Sequence, residues 1–95
     1  MHVTDLIDSI LRQAVDESNR LLPAGKFLST EDDCAIAAPT SSLDSLGFIG
    51  FLAALESAAS RNGHRLELLN EDSLTNREDL FADVAAVKQT LAQKL

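Results

Sequence analysis

Residues 45–61 carry apolar side chains on two sides of a single helical wheel, and that segment constrains the fold more than any other. A helix advances roughly 100° per residue. Phe48, Phe51, Leu52 and Leu55 then fall within one arc about 100° wide, the width of a core-facing stripe. Leu46, Ile49 and Ala53 fall on roughly the opposite side, with Glu56 at one margin and Gly50 at the other. A surface helix needs one such stripe. The second must be buried against another element or left open as a docking face. Asn62-Gly63 supplies the C-terminal stop.

The flanking sequence predicts further helices. Val3, Leu6, Ile7, Ile10, Leu11, Ala14 and Val15 recur at three- and four-residue spacing, with Thr4 or Asp5 as the expected cap and Pro23-Ala24-Gly25 as the stop. A long connection follows, from about residue 21 to 42, which Phe27, Leu28, Ile36 and Ala37 are expected to pin to the core. Within it, a short turn of helix is expected around Thr30 to Cys34. After Gly63 the alternation Leu66-Glu67-Leu68 hints at a strand that has no partner to pair with. A helical turn is expected near Glu71 to Leu74. Thr75-Asn76-Arg77-Glu78 resembles a capping box opening a final helix, with Leu80, Phe81, Val84, Val87 and Leu91 as its inward stripe. The expected architecture is all-α: a small antiparallel bundle of three long helices plus a short one, with a long first loop, in one domain spanning residues 1–95.

Composition fits that reading. Ninety-five residues give one small core, 45% of them are hydrophobic, and the aromatics are four Phe with no Trp and no Tyr. Packed aliphatic helices are the natural outcome. The formal net charge of −7 argues against nucleic-acid binding and against docking on an anionic membrane, and would steer a partner with a basic patch. No apolar run approaches the roughly 20 residues that span a bilayer, and no signal peptide is visible, so a cytoplasmic setting is expected. The lone Cys34 allows no intramolecular disulfide and reads as a half-buried loop thiol. The carboxylates are too scattered for a calcium loop, and Glu31-Asp32-Asp33 reads as a solvated acidic turn; no metal site is expected.

The tripeptide Asp-Ser-Leu occurs twice, at residues 44–46 and 72–74, but only the first opens a long apolar helix. A serine there is held where backbone N–H groups and the helix dipole favour a phosphate. The bland alternatives are that Ser45 is only a cap and Asp44 only a cap or dipole partner. Leu43-Asp44-Ser45-Leu46, its long preceding loop, the apolar helix behind it and the helix on each side resemble the acyl and peptidyl carrier proteins over about 85 residues. The resemblance implies a carrier whose Ser45 bears 4′-phosphopantetheine taken from coenzyme A, on which an acyl or aminoacyl intermediate rides as a thioester. It implies that Asp44 takes part in recognition by the phosphopantetheinyl transferase and helps bind that enzyme's magnesium. It implies that Leu46, Ile49, Gly50, Ala53 and Glu56 meet partner enzymes that load the cargo or act downstream in a lipid or secondary-metabolite pathway. The chain itself would be a monomer and not an enzyme.

The sequence also departs from that pattern. Many fatty-acid carriers place acidic residues where Gly47 and Gly50 stand here, whereas Glu56 keeps a later acidic position. Docking would then rest less on salt bridges and more on shape and apolar contact, which points to a specialised carrier. Leu43-Asp44-Ser45-Leu46-Gly47 also resembles, over that short stretch, the Leu-Asp-Ser-Met-Gly of D-alanyl carriers, and the long first loop and the extension past Gln89 add to the impression of a specialised carrier. Two other functions compete. A catalytic Ser45 needs a base and an oxyanion site, yet the only histidines are His2 and His64 and there is no Gly-x-Ser-x-Gly elbow. A non-modified helical interaction module of carrier-like fold accounts for the charge and the two-stripe helix without a cofactor.

Overall fold

The computed structural model describes residues 3–95, and among them the only regular elements are five helices: α1 (Val3–Leu21), α2 (Ser45–Arg61), α3 (Glu71–Thr75), α4 (Arg77–Leu80) and α5 (Val84–Lys94). The class is therefore all-α. α1 presents Leu6, Ile7, Ile10, Leu11, Ala14 and Val15 to the interior, the face its spacing predicts, and packs against both α2 and α5. Val3, the first residue of α1, is an exception, half exposed. Thr4 and Asp5, expected as caps, lie inside the first turn of α1 instead.

α2 follows its sequence signals closely. Asp44 is the N-cap, with extended backbone, and its carboxylate accepts from the Gly47 N–H at 2.6 Å. At the other end Asn62 caps the helix, and Gly63 adopts the positive φ of 81° that turns the chain away. Phe48, Phe51, Leu52 and Leu55 are all buried, as the core stripe requires.

The long connection runs from residue 22 to 44 without a helix; the turn expected at Thr30–Cys34 closes with one bond, from Cys34 N–H to the Glu31 carbonyl. Two sets of contacts order the segment. The Asn19 side chain bonds both backbone groups of Leu28. Further on, the N–H groups of Ile36, Ala37 and Ala38 donate to the carbonyls of Ala82, Phe81 and Ala82. Leu28 and Ile36 are buried and Ala37 is half-buried, but Phe27, also expected as an anchor, is 70% exposed.

The final helix is not continuous. Residues 81–83 leave the helical path between α4 and α5, where they pair with residues 34–38, and Asp83 caps α5 by accepting from Ala86 N–H. The carbonyls of Cys34 and Asp32 take the N–H groups of Val84 and Ala85, so the first loop closes the open end of α5. Thr75 ends α3, and Asn76 precedes α4 without a side-chain cap bond, so the expected capping box does not form. Two short helices thus stand where one was expected. Leu66 and Leu68 are buried in an extended stretch without a strand partner. The Glu56 carboxylate accepts from the Leu68 and Leu69 N–H groups at 2.6 and 3.0 Å, supplying the bonds that a ladder would have made.

Candidate functional site

Ser45 is the first residue of α2, and it is exposed. The capping bond belongs to Asp44, so the Ser45 hydroxyl is not consumed in holding the helix end. Gly47 makes that cap compact: a Cβ at position 47 would lie 3.1 Å from Asp44 Oδ1 and 3.3 Å from Leu43 Cδ2. The second triplet is arranged in the opposite way. Ser73 is 1% exposed, in the middle of α3, and its N–H donates to the capping Asn70 side chain. A macromolecule can reach Ser45 but not Ser73.

Behind Ser45 the second stripe of α2 is open. Leu46 is 77% exposed and Ile49 40%, large values for aliphatic side chains on a helix so apolar. Gly50 is exposed, with open space where a Cβ would sit, and Ala53 is half-buried. Ser57 and Ser60 continue the same side and are also exposed. Glu56 differs from its neighbours: it is half-buried, and one carboxylate oxygen holds the Leu68 and Leu69 backbone. Its first duty is to the fold. The exposed face from Leu46 to Ser60 therefore presents little free charge on a chain of net −7.

Two grooves flank the start of α2. One, of about 560 Å³, runs between the C-terminal end of α1 and α2, bordered by Leu21, Leu22, Lys26, Leu46 and Gly50. Leu21 is 83% exposed there, extending the apolar surface past α2. The other, of about 330 Å³, is bordered by Ser45 itself, Asp44, Arg77 and Glu78 over a floor that includes Ile36 and Phe48. The Phe48 ring meets Phe81 edge-on, with centroids 5.8 Å apart, and so fixes the start of α2 against the α4–α5 joint.

What the site offers chemically is an accessible hydroxyl without a base of its own. His64 is exposed beyond the far end of α2, about 25 Å along the helix axis from Ser45, and His2 lies outside the described residues. Cys34 is half-buried, its sulfur accepting from Ser29 N–H at 3.4 Å. Asp32 of the acidic turn is paired with Lys88 Nζ at 2.8 Å, and no group of three or more His, Cys, Asp or Glu side chains gathers among the described residues. None of the described helices is long and apolar enough to cross a membrane.

Two residues at the site escaped the sequence reading. Arg77 was placed only in a capping box, yet it borders the same groove as Ser45 from 32 positions away. The one available signal was that it is the sole cation between Arg65 and Lys88. Leu21 stands at the start of the expected long connection, with nothing in the sequence to mark it as part of an apolar surface; it is the last residue of α1. Comparison with protein-family models, with curated proteins and with solved structures gives no match to this chain.

Proposed function

We propose that this chain is a carrier protein, holding an acyl or aminoacyl group as a thioester on 4′-phosphopantetheine attached to Ser45. The observation that carries the reading is the division of labour at the start of α2: Asp44 caps the helix, leaving Ser45 exposed and unengaged beside an open apolar face. A serine kept only for capping would take the bond that Asp44 takes. The arrangement of α1, α2 and α5 around one core, with a long loop before α2, supports a compact helical bundle of the carrier type.

In this reading a phosphopantetheinyl transferase supplies the base that Ser45 lacks and, with Asp44, the magnesium site. Oγ attacks the β-phosphorus of coenzyme A, the new O–P bond replaces the diphosphate bond, adenosine 3′,5′-bisphosphate departs and the serine proton passes to the transferase's base. Loading and downstream enzymes then meet the face of Leu46, Ile49, Gly50 and Ala53, and apolar contact does the work that acidic side chains at positions 47 and 50 would otherwise do. The chain acts as a cytoplasmic monomer in a lipid or secondary-metabolite pathway and catalyses nothing itself. Incubation with coenzyme A, magnesium and a promiscuous transferase tests this: the intact mass should rise by one phosphopantetheine. No gain with several transferases refutes the carrier and leaves the open face to an unmodified interaction module.

A further inference from the structure

The geometry points to Arg77 as the residue that holds the phosphate of the group attached at Ser45, an inference that rests on the carrier reading. Ser45 and Arg77 border one groove of about 330 Å³ between the starts of α2 and α4. Ile36 and Phe48, almost wholly buried, contribute to its floor, while Asp44 and Glu78 add two carboxylates to its rim.

Modification adds a phosphodiester, and with it a permanent negative charge, to a chain already at −7. That charge arrives beside Asp44 and in the same groove as Glu78. Like charges gathered in one place repel. The helix end gives limited relief, because the Gly47 N–H is already spent on the Asp44 cap. A neighbouring cation relieves that repulsion, and Arg77 is the one bordering this groove. It is also free to do so: the ion pairs among the described residues engage Arg61, Arg65 and Lys88. A guanidinium meets two phosphate oxygens with two parallel N–H groups, which an ammonium cannot do. Arg77 therefore acts as a positioning residue, tethering the proximal end of the arm toward α4.

A thermodynamic cycle tests this on the full chain. Wild type, Arg77→Gln and Arg77→Lys are each melted before and after modification, with intact mass confirming that Ser45 has been loaded. The effect of modification on Tm should be more favourable in wild type than in Arg77→Gln by about 3 °C, with Arg77→Lys in between and the difference shrinking in high salt. The Arg77 Nε–H proton resonance should move on modification in wild type. If loading is confirmed while Tm shifts equally in all three proteins and the Nε–H resonance stays put, Arg77 does not hold the phosphate. Failure to load any of them refutes the carrier reading itself, and this inference with it.

Discussion

Asp44 and Ser45 are adjacent, both exposed, and chemically separable. The Asp44 carboxylate accepts from the Gly47 N–H, a bond that an asparagine side chain also makes. Asp44→Asn should therefore keep the stability of the wild type within about 0.5 kcal/mol, whereas Asp44→Ala should lose about 1 kcal/mol with the cap. If Asp44 serves the transferase's metal as proposed, modification should slow in both, because that role needs the charge rather than the cap. Urea melts and initial loading rates measure the two effects independently; normal loading of Asp44→Asn would confine Asp44 to capping. The hydrogen bond to Asp32, in the first loop, is the main cause that holds the Lys88 ammonium above its ordinary value of 10.5. A raised lysine contributes stability in full below its unfolded pKa and loses it as pH climbs through the folded one. The pair joins two partly exposed side chains, so its contribution is small, well under 1 kcal/mol. Lys88→Met should accordingly lower Tm slightly at pH 7, and the gap to wild type should close above pH 10.5. A gap that persists at high pH would assign the effect to packing instead.

At the scale of the element, α2 has two apolar faces with opposite fates. Phe51 is wholly buried and Ile49 is 40% exposed, though they are two residues apart. Phe51→Asp places an unpaired charge in the core and should cost more than about 4 kcal/mol, enough to unfold a small domain. Ile49→Asp should change stability by less than about 1 kcal/mol while weakening docking to the transferase about tenfold. Thermal melts and titration of the transferase distinguish them; equal collapse of both variants would contradict the two-face assignment. The limits and buried face of α2 were legible in the sequence because their causes are local: an aspartate cap, a stop at Asn62-Gly63, and phenylalanines spaced by helical turns. The break between α4 and α5 was not, since Leu80, Phe81, Val84, Val87 and Leu91 keep helical spacing straight across it. What interrupts the helix is pairing of residues 81–83 with 34–38, some 45 positions earlier, and no local pattern encodes that. Glu56 shows the same limit: its bonds to Leu68 and Leu69 span 12 and 13 positions, so its structural role was not legible beside the docking role expected of it. Ser45 and the open stripe were visible as a motif and a periodicity, whereas the groove that joins Ser45 to Arg77 exists only in the folded chain.

The whole molecule is a compact particle with a Cα radius of gyration of 12.1 Å, close to the value of about 12 Å expected for a globule of this length. Its one core draws on α1, α2, α5 and the connecting segments together, so the first loop is as much a part of the scaffold as the helices. In the proposed function, net charge and the low-charge α2 face divide the task of recognition. The field of the chain would attract a basic partner from a distance, and the open stripe of Leu46 and Ile49 would make the contact. Everything proposed for that face depends on Ser45 carrying the arm. The most direct measurement is the intact mass of wild type, Ser45→Ala and Ser73→Ala after exposure to coenzyme A, magnesium and a promiscuous transferase. Wild type and Ser73→Ala should each gain one phosphopantetheine and Ser45→Ala none; a gain that survives Ser45→Ala, or no gain in any of the three, would contradict the account.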